Sequence, residues 1–215
     1  MKKIIFAIAF VAIGMVSCKS EKNKAATSDA VKDVAKSENI INTYKANIAE
    51  SNVTWVGSKP TGSHNGIVSL EKGTLEIENG VVKSGEFVID MNTISCLDLE
   101  AGNGKEKLEG HLKNADFFDV AKFPTAKFEV SSSELKDGKV MVTGNLTLKD
   151  VTKSITIPAT ITEGENDMIT FTSDVFSIDR TEFGVTYSSK KFNAALKDKF
   201  INDLMEISFN VKAKK

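Results

Sequence analysis

Apolar and polar residues alternate with a period of two through most of the chain, and this pattern constrains the fold more than any other feature. The last such segment, residues 205–212, reads MEISFNVK and has one apolar and one polar face. Similar segments recur from about residue 48 onward, and Asn79-Gly80 between two of them is a strong hairpin signal. Because this period is typical of half-buried antiparallel strands, the pattern predicts eight or more of them.

So many strands need their edges hidden, which favours a closed barrel or a sandwich. Of the sixteen aromatic residues, thirteen are Phe, two are Tyr and one is Trp. Phenylalanine has no polar group and therefore suits a dry interior. A barrel that crosses a membrane would instead show girdles of Trp and Tyr at both interfaces. The composition therefore favours a barrel with a dry, apolar interior over one that crosses a membrane.

Two segments interrupt the strand pattern. Residues 97–118 carry apolar side chains at helical spacings, including Leu108 and Leu112, and predict a helix. Pro124 disfavours helical backbone in the residue before it, and strand alternation resumes beyond it. A second, short helix is predicted near residues 191–203, where apolar residues recur at intervals of four.

The first residues are typical of an export signal. Lys2 and Lys3 precede an apolar run of thirteen residues that is too short to span a bilayer. The run ends in Met15-Val16-Ser17-Cys18, which resembles a bacterial lipobox with methionine in place of the usual leucine. We therefore expect residues 1–17 to be a lipoprotein signal peptide and Cys18 to be the lipid attachment site. An ordinary secretory peptide is the alternative.

Composition divides the remaining chain into two parts. Residues 18–47 are rich in Lys, Ser, Asn and Ala, which predicts a flexible tether. The strand pattern places the barrel domain in residues 48–215. A lysine rather than an aspartate at position 19 favours the outer membrane. We therefore expect a lipoprotein of the cell envelope, anchored in the outer membrane and facing the periplasm.

Charge and cysteine content exclude some classes of protein. Removing the two lysines of residues 1–17 takes the formal net charge from −1 to −3. This value offers no basic field that would attract nucleic acid. With Cys18 acylated, Cys96 alone cannot form an internal disulfide, so the core must hold the fold together. Pairing of two chains into a homodimer is left open.

The residues that could carry chemistry are few. His64 and His111 lie in no HxxxH or CxxC frame, so no metal site is predicted, although carboxylates from elsewhere could complete one. Cys96 has no adjacent cation that would activate it as a nucleophile and is interpreted as a small buried residue. Asp116 and Asp119 could act in acid–base chemistry, but they could equally serve as caps at a helix end. No catalytic group and no cofactor are predicted.

Arg180 is the only arginine among the 28 Lys and Arg residues. All the other residues of this group are lysines, so the single guanidinium indicates a task that needs its planar set of hydrogen-bond donors. Two interpretations remain open: Arg180 braces a strand end against Asp or Glu, or it faces a polar headgroup at the mouth of a cavity.

Several motifs, taken together, resemble the YceI-like family of lipid- or polyisoprenoid-binding domains. They are TWVG at residues 54–57, the segment from His64 to Gly66, HLKNADFFDVAKFPTAKF at 111–128, GNLTLKDVTK at 144–153 and RTEFG at 180–184. The resemblance extends over roughly residues 52–214. Residues 96–100, CLDLE, depart from the family pattern where the helical segment begins.

The resemblance implies a lipocalin-like, eight-stranded antiparallel β-barrel with a helical lid, holding an isoprenoid or other long-chain lipid. Eight strands enclose enough space for one small ligand, and apolar burial would supply its affinity. We expect a membrane-anchored, non-catalytic carrier or storage protein. The first alternative is a ligand-free, filled barrel that acts as an envelope stress or protein-interaction module. A less favoured alternative is an envelope hydrolase that uses His111 with Asp116 or Asp119.

The predicted ligand-binding residues are those expected to face the barrel interior or to form its lid. They are Trp55, Phe87, Ile89, Leu112, Phe117, Phe118, Phe128, Leu146, Leu148, Phe171 and Phe209. Of these, Leu112, Phe117 and Phe118 belong to the predicted lid. His64, His111 and Arg180 are the predicted polar rim for a lipid headgroup.

Overall fold

The computed structural model describes residues 27–29 and 42–215. The expectations for the signal peptide and for Cys18 fall outside these described residues. So does most of the predicted tether.

The described residues form twelve β-strands, one α-helix and four short 3-10 turns. The strands and the helix are β1 (Thr27–Asp29), β2 (Asn42–Ala46), β3 (Asn52–Lys59), β4 (Gly62–Glu78), β5 (Val81–Asp90), β6 (Ser95–Cys96), α1 (Lys105–Lys113), β7 (Thr125–Lys136), β8 (Lys139–Leu148), β9 (Val151–Glu163), β10 (Met168–Ser173), β11 (Phe176–Asp179) and β12 (Leu204–Lys214). The 3-10 turns are Ile48–Glu50, Met91–Thr93, Arg180–Phe183 and Ala194–Leu196.

Eight of these strands close into a ring. Each pairs with the next in the order β3, β4, β5, β7, β8, β9, β10 and β12, and β12 pairs back with β3. All of these pairings are antiparallel, which confirms the predicted eight-stranded barrel class. The ring is irregular, because bulges shift the register between Leu70 and Lys72 and between Val130 and Ser132. Closure leaves few strand edges exposed to other chains.

The predicted hairpin at Asn79-Gly80 is confirmed. Asn79 has φ of 52° and Gly80 has φ of 75°, and they join β4 to β5. Two successive positive φ angles are the geometry that matches the twist of paired strands. Asp137 and Gly138 repeat this arrangement between β7 and β8, with φ of 50° and 77°.

Two glycines allow large rings to lie against the sheet. A Cβ on Gly66 would overlap the Trp55 ring and the Ser95 carbonyl oxygen. A Cβ on Gly144 would lie 2.6 Å from the Phe128 ring. Trp55 and Phe128 therefore pack directly against the backbone of the neighbouring strand. A residue larger than glycine at position 66 or 144 would prevent this packing.

The folded region begins before residue 48, earlier than the predicted domain boundary. Strand β2, at Asn42–Ala46, pairs with both β4 and β12, and its Tyr44 is buried. Strand β1, at Thr27–Asp29, pairs with β9. Both lie within the predicted tether, because a strand of five residues or fewer leaves too short an alternation to stand out from polar surroundings.

The helical predictions are only partly right. Helix α1 covers Lys105–Lys113, whereas residues 97–118 were predicted. Gly104, with φ of 92°, immediately precedes the helix, and Asn114 turns back to extended backbone after it. The helix predicted at residues 191–203 is wrong: that stretch contains only a 3-10 turn, and Lys197 ends it with φ of 50°.

Tertiary contacts explain the second error. Phe200 lies under the ammonium group of Lys190, with Nζ 4.1 Å from the ring centroid, instead of joining an apolar helical face. Phe192 is 60% exposed. The apolar residues of this segment are spaced as in a helix, but they lie in a loop and do not form a common buried face. Among residues 27–29 and 42–215, no helix is long and apolar enough to cross a lipid bilayer.

Candidate ligand-binding cavity

An apolar cavity of about 170 Å³ lies inside the ring. Its walls are mainly Val, Ile, Leu, Met and Phe side chains from the strands, and it reaches the end of the ring that α1 covers. Among the described residues that line it, Arg180 and Asn202 alone carry a charge or an amide. Phe171 is one of the lining residues, and its ring centroid lies 6.1 Å from that of Phe87 and 4.8 Å from that of Phe209. The site can therefore hold an apolar group and little else.

All residues that were predicted to bind the ligand line this one cavity. They are Trp55, Phe87, Ile89, Leu112, Phe117, Phe118, Phe128, Leu146, Leu148, Phe171 and Phe209. Their convergence follows from the pleat, since every second side chain of a strand points to the same face. Binding of a ligand by these residues stays a prediction.

The structure adds lining residues that the sequence prediction missed. Val53 and Ile207 share the period of Trp55 and Phe209 in the same strands, so the alternation could have identified them. Met91 and Ile94 lie at the 3-10 turn between β5 and β6 and have no periodic signal. Asn202 lies in an irregular segment and likewise could not be inferred from spacing.

The lid is attached to the barrel on two sides. Phe117 and Phe118 are buried and meet edge to face, with centroids 5.0 Å apart. Lys149, in the turn between β8 and β9, donates from Nζ to the Phe117 carbonyl oxygen at 2.7 Å. On the other side, Glu109 of α1 accepts hydrogen bonds from the Ser95 hydroxyl at 3.0 Å and the Cys96 backbone N–H at 2.8 Å. The pKa of Glu109 is lowered, mainly because its carboxylate accepts the hydrogen bond from the Cys96 backbone N–H.

Arg180 lies beneath this lid and is fully buried. Its guanidinium donates to the carbonyl oxygens of Val185 at 2.8 Å, Ile201 at 3.0 Å and Asn202 at 3.1 Å, and to Asp203 Oδ1 at 3.3 Å. Burial lowers the pKa of Arg180, while the carboxylates of Asp203 and Asp179 raise it. Arg180 therefore braces the segment before β12, and it is a wall of the cavity rather than an exposed rim residue.

The two histidines do not join Arg180 at the cavity. Neither His64 nor His111 is among its lining residues. The His111 ring packs edge-on against Phe117 at 5.8 Å and Tyr187 at 4.7 Å, and its Nε2 has no hydrogen-bond partner among the described residues. The predicted polar rim is thus not brought together as one group. The described ring contacts of His111 are aromatic, and none of its described contacts is with Asp116 or Asp119, the two partners considered in the hydrolase interpretation.

Trp55 contributes a polar atom that sequence analysis did not single out. Its side chain is 9% exposed and lines the cavity, and the indole N–H has no hydrogen-bond partner among the residues described. Buried indole N–H groups normally find an acceptor. The nitrogen itself is buried, so a ligand oxygen reaches this donor only if the surrounding atoms move.

A separate polar cluster lies outside the cavity, where β4 meets β6. Asp98 accepts hydrogen bonds from the Asn65 backbone N–H at 2.9 Å and from the Cys96 thiol at 3.2 Å, and its Oδ2 lies 2.8 Å from His64 Nδ1. The Asn65 hydrogen bond is the largest cause that lowers the pKa of Asp98 to about 2. Burial raises the pKa of the Cys96 thiol, which is fully buried.

Comparison with known sequences and structures identifies relatives of this barrel. The sequence model of the YceI-like domain matches residues 44–213. A UPF0312 protein of Shewanella denitrificans is 35% identical over 96 residues, which are 44% of this chain and 48% of that protein. Protein YceI of Salmonella arizonae is 47% identical over 49 residues, 23% of this chain and 26% of that protein. The matched regions thus span half or less of these relatives.

Solved structures share the fold at low sequence identity. BcnA of Burkholderia cenocepacia superposes with a TM-score of 0.63 at 22% identity, covering 78% of this chain and 98% of BcnA. A polyisoprenoid-binding domain from Saccharophagus degradans gives 0.58 at 15% identity, covering 80% and 97%. Given the closed ring, the lid and a family match over residues 44–213, the chain belongs to the YceI-like domain family.

Proposed function

We propose that this protein binds one long apolar lipid of the polyisoprenoid type inside its barrel, as a non-catalytic carrier or store. The observation that carries the proposal is the cavity inside the ring, whose wall is hydrocarbon and includes the lid side chains Leu112, Phe117 and Phe118. Support also comes from the Saccharophagus degradans domain, which has this fold and is described as polyisoprenoid-binding. Burial of a prenyl chain at about 25 cal/mol per Å² supplies affinity without a charged contact.

The size of the cavity indicates how the lipid enters. A volume of about 170 Å³ is close to that of an engineered apolar cavity of about 150 Å³ that holds benzene. A longer chain needs more space, so the lid side chains Phe117 and Phe118 move outward as the chain enters. Most of the remaining wall belongs to paired strands and has far less freedom.

The polar end of the lipid lies beside Trp55. In this position, once the side chains around the buried indole nitrogen have moved, a hydroxyl or carbonyl oxygen of the lipid accepts a hydrogen bond from this unpartnered N–H. Arg180 also lines the cavity, and its described hydrogen bonds go to the protein backbone and to Asp203. A hydrocarbon with no oxygen cannot accept this hydrogen bond, so its binding free energy would be weaker by roughly 0.5–1.5 kcal/mol.

The chemistry of the wall supports a carrier over a hydrolase. The described lining residues include no Ser, Thr, Cys, His, Asp or Glu. A hydrolytic site needs a nucleophile or an activated water beside a base. The ligand-free interaction module remains the competing function, and the test below separates it from the carrier.

In the same proposal, Cys18 carries a lipid anchor that holds the protein in the outer membrane, facing the periplasm. The support is the Met15-Val16-Ser17-Cys18 sequence after an apolar run. Replacement Cys18→Ser should release the protein from the membrane fraction and abolish incorporation of labelled fatty acid. Persistence of both membrane association and label in this variant would refute the anchor.

The test of lipid binding uses the purified protein and a prenyl alcohol. Native mass spectrometry should show one co-purifying lipid per chain. Added lipid at 100 times its Kd stabilises by about 2.7 kcal/mol and should raise the melting temperature by about 5 to 10 °C. Absence of any bound lipid, together with an unchanged melting temperature, would favour the filled-barrel module instead.

The lid assignment is tested by the double variant Phe117→Asp, Phe118→Asp. Two carboxylates at the cavity entrance oppose an apolar chain, so lipid uptake should fall at least about tenfold, because burying an uncompensated charge costs several kcal/mol. The matched control is Leu135→Asp in β7, which is 67% exposed and does not line the cavity. Undiminished uptake in a double variant that retains its β-sheet circular dichroism would show that these residues are not the lid.

A further inference from the structure

We infer that His64, Cys96 and Asp98 form a binding site for a divalent transition-metal ion, with zinc as the best-matched ion. The three side chains come together where β4 meets β6, outside the lipid cavity. The site is independent of the proposed lipid binding.

The three ligand atoms are already gathered. Each of His64, Cys96 and Asp98 offers one ligand atom, and these three atoms all lie within 4.8 Å of one another. Two contacts through the Asp98 carboxylate are shorter, 2.8 Å to His64 Nδ1 and 3.2 Å to Cys96 Sγ. Zinc–ligand bonds of about 2.0–2.3 Å in a tetrahedron place ligand atoms roughly 3.3–3.8 Å apart. Side-chain adjustments of about 1 Å therefore suffice.

Paired backbone fixes these positions. Strand β6 pairs with β4 so that Cys96 lies opposite Gly66, two residues from His64. The Leu97 backbone N–H donates to the Asn65 carbonyl oxygen at 2.9 Å, and the Asn65 N–H donates to Asp98 Oδ1 at 2.9 Å. Asn65 is not a ligand itself, but its backbone N–H orients the Asp98 carboxylate. Ligands in metal sites are commonly oriented by hydrogen bonds of this kind.

The donor set favours particular metals. A thiolate, an imidazole nitrogen and a carboxylate oxygen suit zinc and its neighbours, whereas magnesium and calcium prefer oxygen ligands alone. The ion replaces the thiol proton, which passes to solvent, and binds the lone pair of Nδ1 while Nε2 carries the ring proton. Three protein ligands leave a fourth position for water.

The site is open on one side. The side chains of His64 and Asp98 are 34% and 29% exposed, while Cys96 is fully buried. An ion therefore approaches from solvent across the histidine and the carboxylate, and the sulfur lies at the base of the site. Glu109 of α1 accepts from the Cys96 backbone N–H, so the site also lies at the foot of the lid.

The test titrates the full chain, purified with a chelator, with Zn²⁺ by calorimetry and with Co²⁺ by absorption spectroscopy. We expect one equivalent of either ion and a sulfur-to-cobalt charge-transfer band. Cys96→Ser should abolish the band. His64→Gln and Asp98→Asn should each weaken binding at least about tenfold, since even loss of a partner behind a metal ligand typically costs that much.

Two matched variants exclude the other cysteine and histidine. Cys18→Ser and His111→Gln should keep both the band and the affinity, because neither residue belongs to the cluster. Thermal melts confirm that every variant is folded. A wild-type protein without stoichiometric binding overturns the inference, as does a band that disappears in Cys18→Ser but persists in Cys96→Ser.

Discussion

Arg180 shows how much of one loop a single side chain can organise. Its guanidinium joins the carbonyl oxygens of Val185, Ile201 and Asn202 and the Asp203 carboxylate, and its carbon lies 5.6 Å from the Phe117 ring centroid. Lysine has a single ammonium group and cannot reach four acceptors arranged around a plane. The unique arginine therefore links the segment before β12 to the lid.

Arg180→Lys should lower the free energy of unfolding by about 2–4 kcal/mol, because buried carbonyl oxygens lose their donors. Urea denaturation measures the change. Lys72→Arg is the matched control at a side chain that is 61% exposed, and it should change stability by less than about 0.5 kcal/mol. Equal effects of the two substitutions would contradict the bracing role.

Asp98 should make stability depend on acid pH. Its folded pKa of about 2 lies below the ordinary value of 3.8, so the unfolded chain binds more protons between these values. The stability from Asp98 is complete above about pH 4 and is lost as the pH falls through about 2. The difference in unfolding free energy between wild type and Asp98→Asn should therefore shrink over that window. A difference that does not vary between pH 6 and pH 2 would contradict this assignment.

At the scale of elements, the lid is short and depends on its attachments. Helix α1 has nine residues, and Leu112 is its buried residue, so little of the helix itself packs on the barrel. Isolated helices of this length are unstable in water. The contacts of Lys149 with the Phe117 carbonyl and of Glu109 with β6 therefore determine how firmly the lid closes.

Lys149→Met keeps the length of the side chain and removes the charged donor. Loss of a hydrogen bond of about 1 kcal/mol should increase the open-to-closed equilibrium constant of the lid roughly fivefold. Hydrogen exchange of the backbone amides at residues 117–120 measures the change, and Lys139→Met, at a surface ion pair with Asp174, is the control. Equal exchange in the two variants would show that Lys149 does not hold the lid.

At the scale of the whole molecule, the barrel extends further toward the N-terminus than its main strands suggest. Strand β2 pairs with β12 at Lys45 and Ala46 and with β4 from Asn42 to Lys45, and it buries Tyr44 against the core. Without it, the edge of β4 near Leu75 would be exposed to solvent and to other chains.

A chain that begins at Asn42 should therefore be more stable than one that begins at Ile48. The shorter chain loses the burial of a tyrosine and several sheet hydrogen bonds, and removal of one buried large aromatic side chain already costs about 3–5 kcal/mol. Urea denaturation of the two truncated proteins measures the difference. Indistinguishable midpoints would show that β2 does not contribute to the barrel.

The sequence by itself determined most of the strands after residue 48 and the faces of those strands that turn inward. Alternation is a local property of the backbone, since successive side chains of a strand point to opposite sides whatever the partner strand is. Trp55, Phe87 and Phe209 could therefore be assigned to a common interior from their own strands alone. The hairpin at Asn79-Gly80 was equally local, because positive φ angles are a property of those two residues.

Only the tertiary structure decided which distant residues meet. His64 and Asp98 are 34 positions apart and come into contact because β6 pairs with β4. The acceptors around Arg180 belong to an irregular loop that no periodicity describes. Spacing of four residues failed for the same reason near residue 196, where Phe192 is exposed and Phe200 lies under Lys190 instead of joining an apolar helical face. Long-range pairing and burial, rather than local pattern, set the boundaries of the lid, the start of the barrel and the cluster at the foot of the lid.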